Sequence, residues 1–375
     1  MILPDQRHLF DIPSEVVYMN CGSVSPLPKQ VQAAGITGLN KKTTPWQLQT
    51  EDWFGRAEVL RDLFAKIIGA TKDHIALIPA ASYGIAVAAN NVQLRPDQHI
   101  ILLDQQYPSN VYAWQELSRS SGAAIVTVKR AAGQSWTAAL LSHINTHTGV
   151  VAIPNCHWTD GSLIDLEEVS KAVKSVSAKL VIDASQSLGA YPLDINKIKP
   201  DFLVTVGYKW LLGAYGMGFL YADPQYSIAG KPIEYSWLNR AGSDDFTSLV
   251  NYQEIYRAGA RRFDMGGFPS FVHVEMSIAA LSQILEWGVA NIQETLSVLT
   301  DAIQEKAAAL GLETPDSNQR VGHMIGIKLS DSQVVKLRKE LADNQVYVSF
   351  RGSSMRVAPY LFNTLNDVDR LFRYL

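Results

Sequence analysis

The chain has 375 residues, which is too long for a peptide hormone, a disulfide miniprotein or a lone binding module. Hydrophobic residues make up 47% of it and charged residues 18%, so it should bury about three quarters of its unfolded surface, as ordinary globular proteins do. The net charge of −3 provides no excess of cations for neutralising a phosphate backbone. Global disorder and nucleic-acid binding are therefore not expected.

The two cysteines, Cys21 and Cys156, are too few for a disulfide framework and lie outside any CxxC or histidine-rich spacing that would bind zinc. They indicate a reducing compartment and no metal site. The first residues, MILPDQRHLF, lack a charged leader followed by an apolar stretch, and no run of 18 uncharged apolar residues occurs. We therefore expect a cytoplasmic protein with no membrane partner.

Short apolar runs alternate with helical patterns from residue 75 to about residue 222. In chain order they are HIALIPA, HIILLD, AAIVTVK, GVVAIP, AKLVIDA, DFLVTVG and MGFLYAD. Apolar runs of about four to seven residues, separated by helices, are typical of strands in a mostly parallel sheet that is covered on both faces. The pattern predicts an α/β domain with a seven-stranded sheet.

A second region begins with a long helical pattern near Val272, in which apolar residues recur every three or four positions as far as Leu310. After it come a strand (HMIGIKL), a helix that Ser330 can cap, two strands (VYVSF and SMRVAP) and a final helix (TLNDVDRLFRYL). We expect an N-terminal arm over residues 1–17, a large domain over 18–268, and a linking helix with a small α+β domain over 269–375.

Two charged residues follow predicted strands. Asp183 ends the run KLVID, at the edge of an open α/β sheet where ligands bind. Lys209 follows DFLVTV and is flanked by Gly207, Tyr208 and Trp210, an uncharged neighbourhood that lowers a lysine pKa. A desolvated lysine can act as a neutral amine and form a Schiff base with a carbonyl group. A lone lysine at a strand end is more often a surface residue, so the surrounding pattern decides.

That pattern is specific. Asp183, Gln186 and Lys209 occur with 26 positions from the aspartate to the lysine, and a glycine-rich turn follows. The arrangement closely resembles the pyridoxal-phosphate (PLP) enzymes of the class V aminotransferase family, which includes cysteine desulfurases, kynureninase and isopenicillin N epimerase. The resemblance spans nearly the whole chain. It implies the fold-type I architecture, with a large PLP-binding domain and a small C-terminal domain.

The resemblance also implies roles for the residues of this stretch. Lys209 would bind the cofactor aldehyde, and Asp183 would pair with the pyridinium nitrogen and keep it protonated, so that the ring can accept electrons from the substrate. Gln186 would reach the phenolic oxygen of the ring. Tyr208 would donate its hydroxyl to the phosphate, although it is also compatible with a simple packing role.

Three loops match the family by position. PAASYGIAVAANN opens a helix after a strand, and Ala81 and Ser82 are the expected phosphate contacts, because free N–H groups at a helix start favour an anion. In QYPSNVYAW, Tyr107 would stack on the ring or merely pack within its loop. In NCHWTDGSLIDL, Trp158 and Asp160 would border the pocket.

The substrate side of the pocket is expected to carry arginine. MRVAPYLFNTLNDVDRL matches the closing segment of the family, in which Arg356 would hold the substrate carboxylate with two parallel hydrogen bonds. Arg351 is a second candidate and is also compatible with a solvated charge at a strand end. YMNCGSVSPLP, which includes Asn20 and Ser23, resembles the segment that runs along the substrate side of the pocket.

The segment YRAGARRFDMGGFPSF resembles the part of the family that reaches the cofactor phosphate of a neighbouring subunit. Gly266 and Gly267 stand where the family often has Gly-Thr, which leaves the backbone N–H of Gly267 as the expected donor. The resemblance therefore implies a homodimer with shared active sites.

The resemblance implies an enzyme that acts on an amino acid, with aminotransferase chemistry as the first interpretation. A C–S lyase and an epimerase are the alternatives, and a non-catalytic PLP-binding sensor is the alternative of another class. A persulfide-forming desulfurase needs a cysteine on a mobile loop of the small lobe, and none follows Cys156. Cys156 and His157 are neighbours on one strand and point to opposite faces, so no nucleophilic dyad is expected. A nicotinamide dehydrogenase is disfavoured because no GxGxxG opens a helix after a strand.

Overall fold

The structure is a computed structural model that describes residues 1–131 and 133–375. Its strands, in chain order, are β1 (Val17–Tyr18), β2 (Ile75–Ile78), β3 (His99–Leu103), β4 (Ala124–Val128), β5 (Thr148–Pro154), β6 (Lys179–Asp183), β7 (Phe202–Val206), β8 (Gly218–Ala222), β9 (Ile325–Lys328), β10 (Val346–Tyr347), β11 (Ser349–Arg351) and β12 (Ser354–Val357).

The helices, in chain order, are α1 (Lys29–Lys41), α2 (Thr50–Trp53), α3 (Gly55–Ile68), α4 (Ala81–Asn91), α5 (Tyr112–Ser121), α6 (Trp136–Leu141), α7 (Leu166–Ser175), α8 (Ile195–Ile198), α9 (Pro224–Ala229), α10 (Phe271–Trp287), α11 (Val289–Ala309), α12 (Asp331–Asp343) and α13 (Leu365–Phe372). None of the helices that the structure describes is long and apolar enough to cross a membrane.

The large lobe is built on a seven-stranded sheet in the order β2-β8-β7-β6-β5-β3-β4. Five neighbouring strands, from β7 to β4 in that order, run parallel, and β8 runs antiparallel to both β2 and β7. The seven predicted strands are all present, and the predicted mostly parallel α/β sheet is confirmed. Because the parallel strands end at one edge, the residues that follow them meet there.

Both faces of the sheet are covered, which explains why its strands are apolar without alternation. In β5, Val151 and Ile153 belong to one core cluster, whereas Val150 and Ala152 belong to the cluster on the other face. The second cluster also includes residues of α4 and the buried Trp114 of α5. Burial on both sides fixes the sheet as a rigid support for the loops at its edge.

Two helices, not one, connect the lobes, so the prediction of a single linking helix is wrong. The helical pattern is split into α10 and α11 at Gly288, whose φ of +78° lies in the left-handed region. A glycine adopts this conformation without a steric penalty, and an α-helix cannot continue through it. The apolar periodicity spans the break because both helices bury one face.

The small lobe contains the antiparallel sheet β11-β12-β9 and the helices α12 and α13. Ser330 caps α12 as predicted, in a capping box with Gln333. The N-terminal residues belong with this lobe: β1 pairs in parallel with β10, Tyr18 facing Tyr347. The expected domain boundary at residue 18 therefore cuts through a strand, because pairing with a distant segment leaves no mark on the local sequence.

Candidate active site

A cavity lies at the carboxyl edge of the parallel strands, where β3, β5, β6 and β7 end. The residues that line it come from the loops after these strands and are Gln106, Tyr107, Asn110, Pro154, Cys156, Trp158, Asp183, Ser185, Gln186 and Lys209. Five residues predicted for the site are therefore brought together in one cavity: Tyr107, Trp158, Asp183, Gln186 and Lys209.

Lys209 follows β7 and is only 6% exposed. Burial lowers the pKa of its ammonium group to about 8, and the nearby Asp183 carboxylate opposes this shift. Its Nζ atom lies 5.3 Å from the centre of the Tyr107 ring and 5.8 Å from that of Tyr208. A lysine in this state is in part a neutral amine near neutral pH, as a nucleophile toward a carbonyl group must be.

Asp183 ends β6 and is buried. Its Oδ1 atom accepts a hydrogen bond from the Ser185 backbone N–H at 3.0 Å, which orients the carboxylate. Gln186, one turn further along, donates through Nε2 to the Gly22 carbonyl oxygen at 2.9 Å and accepts from the Trp210 indole at 3.2 Å. The second N–H of its amide is left for a ligand.

Two polar atoms of the cavity wall, Ser185 Oγ and Asn110 Nδ2, are buried without a hydrogen-bond partner among the described residues. A buried polar group without a hydrogen bond costs about 1–3 kcal/mol, so such atoms indicate a missing polar ligand. An amine, a carboxylate and these polar atoms match in their chemistry the aldehyde, the ring nitrogen and the polar substituents of PLP. The residues present therefore fit PLP.

The start of α4, which is predicted to bind the phosphate, lies outside the residues described as lining the cavity. Ala81 is buried and Ser82 is exposed at the first turn of this helix, and its N-cap, Ala80, provides no side-chain cap. The first N–H groups are thus available to an anion, as at other helix starts. Gly84 lets the helix approach β7, because an added Cβ would lie 2.8 Å from the Val204 side chain.

Tyr208, the residue predicted to reach the phosphate, lies outside the cavity wall. It is half-buried, and its ring centre is 4.4 Å from that of Tyr215. Burial raises the pKa of its phenol to about 12. The hydroxyl therefore keeps its proton and remains a donor.

The aromatic side of the cavity consists of Tyr107 and Trp158, whose rings meet edge to face at 5.5 Å. The Trp158 indole donates to the Gln105 carbonyl oxygen at 2.7 Å, so the two loops fix one another. Asp160, predicted to border the pocket, instead binds Ser162 through its side chain and lies 3.5 Å from Arg130. It is absent from the residues described as lining the cavity.

Arg356 is 1% exposed and reaches the site from β12. It donates to Ser349 Oγ (3.0 Å), to the Trp158 carbonyl oxygen (2.8 Å) and to Ser23 Oγ (2.7 Å). Burial, and next the charge of Arg351, lower the pKa of its guanidinium to about 9. Gly22 makes this approach possible, since an added Cβ would lie 3.2 Å from Arg356 Cζ.

The other residues predicted for the substrate side lie beside Arg356. Arg351 donates to Ser23 Oγ at 3.2 Å, and its Cζ atom lies 5.3 Å from the centre of the Trp158 ring. Ser23 in turn donates to Asn20 Oδ1 at 2.9 Å. The structure thus joins four of the predicted residues, which come from opposite ends of the chain, in one hydrogen-bonded cluster.

Both cysteines are fully buried. Burial raises the thiol pKa of Cys21 and Cys156 well above the ordinary value. His157 does not pair with Cys156: its ring contacts Thr159 Oγ1 (2.7 Å) and the Asp104 carbonyl oxygen (3.1 Å) and stacks on Trp136. Neither thiol is placed as a nucleophile.

Gly267 is exposed, and no atom lies within 4 Å of the position that its Cβ would take. It is absent from the residues described as lining the cavity, so a single chain does not bring it to the side chains that are predicted to bind the cofactor.

Five of the residues that line the cavity escaped prediction, namely Gln106, Asn110, Pro154, Cys156 and Ser185, and so did His323 beside it. Gln106 and Asn110 lie in the loop after β3, and Gln106 Nε2 donates to the Asn110 carbonyl oxygen at 2.5 Å. Their position after a strand of the parallel sheet was a usable signal. His323 is fully buried, and its Nε2 contacts the Gln186 carbonyl oxygen at 2.7 Å. It precedes β9 of the other lobe, so no local pattern marks it.

Comparison with known proteins identifies the family of this chain. The family described as Aminotransferase class-V matches residues 50–371. A relative named as the uncharacterized aminotransferase YcbU of Bacillus subtilis (strain 168) is 27% identical over 98% of this chain and 95% of its own length. The isopenicillin N epimerase of Streptomyces clavuligerus is 23% identical over 95% of this chain and 93% of its own length.

Among solved structures, a C-DES mutant with glycine covalently linked to its PLP cofactor has a TM-score of 0.88 and 17% sequence identity, with 99% of each chain covered. At this identity the likeness concerns the fold, and it agrees with the fold-type I architecture. Because the family match covers most of the chain, the protein belongs to the class V aminotransferase family, which is PLP-dependent.

Proposed function

We propose that this chain is an aminotransferase that holds PLP on Lys209 and acts on α-amino acids. One observation carries the proposal: a buried lysine and a buried carboxylate line the same cavity, beside a buried guanidinium that has no carboxylate partner among the described residues. These three groups suit an aldehyde, a ring nitrogen and a substrate carboxylate, respectively.

Asp183 and Gln186 would orient the cofactor. The carboxylate of Asp183 faces the cavity with one oxygen fixed by the Ser185 N–H, and it would keep the ring nitrogen protonated. Gln186, Ser185 and Asn110 would bind the polar substituents of the ring, and the first turn of α4 would bind the phosphate. When bound, PLP supplies an electron sink for the bond that breaks at the substrate α-carbon.

Arg356 would orient the substrate. Its hydrogen bonds to neutral oxygens leave its charge uncompensated, and these oxygens hold the planar fork in one direction. A guanidinium fixed in this way binds an α-carboxylate with two hydrogen bonds and turns the α-carbon toward the cavity.

Lys209 would move the proton. With a pKa of about 8, its amine can accept and return a proton near neutral pH. Transamination needs one group that accepts a proton and returns it. Epimerisation by two bases needs a second group on the opposite face, and the thiol of Cys156, with its raised pKa, is a poor base. These facts favour transamination over epimerisation.

Sulfur transfer to a protein thiol is disfavoured. Both cysteines are buried, and only Gly352 and Ser353 join β11 to β12, so this hairpin offers no loop that could deliver a nucleophile. Elimination without a protein thiol, as in a C–S lyase, is the second candidate. The observation that favours it is Lys209, which lines the cavity and whose pKa of about 8 would let it hold a proton and donate it to a leaving group.

The proposed enzyme is a homodimer. Several large apolar side chains are exposed between α9 and Gly267, among them Tyr235, Trp237, Tyr252 and Ile255. A large exposed apolar patch is typical of an interaction surface. Gly267 lies in the same part of the chain and is exposed, so a second copy that covers this surface could bring its N–H to the phosphate of the partner.

The cofactor assignment is tested by borohydride reduction and peptide mass mapping. We expect a pyridoxyl adduct on Lys209, and an adduct on another lysine would contradict the assignment. Arg356→Gln should weaken amino-acid binding at least about tenfold, because it removes a buried charge from the substrate carboxylate, while the adduct on Lys209 remains.

The reaction is tested by mixing the holoenzyme with a panel of amino acids, with and without keto acids. Transamination predicts conversion of the cofactor to its pyridoxamine form with release of the matching keto acid. Pyruvate and sulfide released from cysteine without that conversion would overturn transamination in favour of the lyase. A persulfide on either cysteine after turnover would contradict both.

A further inference from the structure

Two guanidinium groups meet on one hydroxyl beside the cavity. Neither arginine is among the residues described as lining it, but both contact Trp158, which is. Nη2 of Arg356 lies 2.7 Å from Ser23 Oγ, and Nη2 of Arg351 lies 3.2 Å from the same oxygen. The two arginines are diagonal neighbours on the β11–β12 hairpin, in which Arg356 pairs with Ser349 and Arg351 pairs with Ser354. Like charges this close repel each other unless an anion lies between or beside them.

Neither guanidinium forms an ion pair with a carboxylate of the described residues. All the hydrogen bonds of both are to neutral oxygens, those of Ser23, Ser349, Trp158 and Phe350. Arg351 also has a buried Nε atom without a partner. This donor is therefore open to a ligand oxygen.

The charge of the cavity agrees with a substrate that has two negative groups. Lys209 becomes linked to the cofactor, and Asp183 serves the ring nitrogen, so neither is available to the two arginines. Trp158 connects the three cations: it lines the cavity with Lys209, its carbonyl oxygen accepts from Arg356, and its ring centre lies 5.3 Å from Arg351 Cζ. One α-carboxylate would leave one of the two guanidinium groups without a counter-ion.

We propose that the substrate is a short dicarboxylic amino acid, with its α-carboxylate on Arg356 and its second carboxylate on Arg351. This inference rests on the proposed function and adds the substrate class to it. The side chain must be short, because both guanidinium groups reach the same Ser23 oxygen. Trp158, whose ring Arg351 covers, would form the apolar wall for the carbon atoms between the carboxylates.

The competing arrangement is that both arginines bind a single carboxylate. Arg351 would then add affinity for every amino acid alike, whereas in our proposal it distinguishes an acid from its amide. Two ligands of nearly the same shape that differ only in this charge therefore separate the two arrangements.

The experiment uses dicarboxylates that cannot react because they lack an amino group. Succinate and glutarate are compared with their half-amides, succinamate and glutaramate, by isothermal titration calorimetry on the holoenzyme. The proteins are the wild type, Arg351→Gln, Arg351→Lys and, as the control, Arg338→Gln. Arg338 is an exposed cation whose charge acts on Arg351 from outside the cavity, so its removal changes the net charge equally.

We expect the wild type and Arg338→Gln to bind the better diacid at least about tenfold more tightly than its half-amide, the size of one charge-assisted contact. Arg351→Gln should lose this preference while its affinity for the half-amide changes less than about threefold. Arg351→Lys should retain part of the preference, because it keeps the charge without the planar fork.

A wild type without preference for the diacid would overturn the inference, even if Arg351→Gln failed to fold. If Arg351→Gln lost affinity for the diacid and the half-amide equally, the inference would also be overturned. That result would favour the arrangement in which both arginines bind one carboxylate. The proposed function fails separately: it would be refuted if no amino acid changed the cofactor spectrum. Transamination of neutral amino acids in preference to aspartate and glutamate would refute only the substrate class.

Discussion

The Nζ atom of Lys209 lies 5.3 Å from the centre of the Tyr107 ring, inside a cavity whose described lining contains one carboxylate, Asp183. An aromatic face attracts a cation, and a carboxylate stabilises it. Burial acts in the opposite direction and is the stronger effect, because the pKa of Lys209 falls to about 8. The pKa of Lys209 therefore lies close to neutral pH, where its amine can both accept and release a proton.

The first prediction concerns the capture of PLP by the apoenzyme. Because the neutral amine is the nucleophile, the rate of capture should rise about tenfold per pH unit below pH 8 and level off above it. Stopped-flow absorbance measures the rate. Nα-acetyl-lysine, with an ordinary pKa of about 10.4, should continue to rise to that pH. A protein rate that also rises as far as pH 10 would contradict the lowered pKa.

The second prediction is that Asp183→Asn lowers turnover about a hundredfold or more while the adduct on Lys209 remains, because the ring nitrogen loses the charge that keeps it protonated. Asp201→Asn is the matched control. Asp201 accepts a hydrogen bond from Leu180 near the opposite end of β6 and lies outside the cavity lining. The Asp201→Asn variant should keep its turnover within about threefold of the wild type. Equal losses in the two variants would indicate general damage to the sheet.

The third prediction concerns the support of the segment before Gly267. Arg61 and Asp264 form a fully buried pair with contacts of 2.8 and 2.6 Å, and Asp264 also accepts from the Leu77 N–H. Arg61→Met should lower the free energy of unfolding by about 3–5 kcal/mol, because it leaves a buried carboxylate unpaired.

The control for this pair is on the same helix, α3. Lys66 pairs with Asp62 on the surface, and both side chains are at least half exposed. Lys66→Met should cost no more than about 1 kcal/mol, since water screens such pairs. Urea unfolding of the apoenzyme measures both variants, and similar costs would contradict a structural role for the buried pair.

The fourth prediction is that Tyr252→Glu weakens the dimer. Tyr252 is 95% exposed in the single chain and belongs to the proposed interface, where a buried carboxylate without a partner would oppose association. Sedimentation should show an increase in monomer, and cofactor retention should fall with it. Val335→Glu, on the exposed side of α12, should leave both unchanged. A fully active monomer of the wild type would refute the shared-site arrangement.

Much of the fold could be predicted from local patterns. Strands β5, β6 and β7 of the large sheet are buried on both sides, and such apolar runs differ from their surroundings in the sequence itself. The break at Gly288 could not be predicted in the same way, because the apolar repeat continues across it. The parallel pairing of β1 with β10 joins residues more than 300 positions apart, and no local signal reports such a contact.

The sequence by itself determined the chemistry available at the sheet edge. Asp183 and Lys209 each follow a buried strand, and parallel strands bring their carboxyl ends to the same edge wherever the chain folds this way. Only the tertiary structure decided the substrate side. Ser23, Arg351 and Arg356 come from opposite ends of the chain and meet because the N-terminal segment pairs with the small lobe. The orientation of each guanidinium, and the donor that Arg351 leaves unpaired, depend on long-range packing.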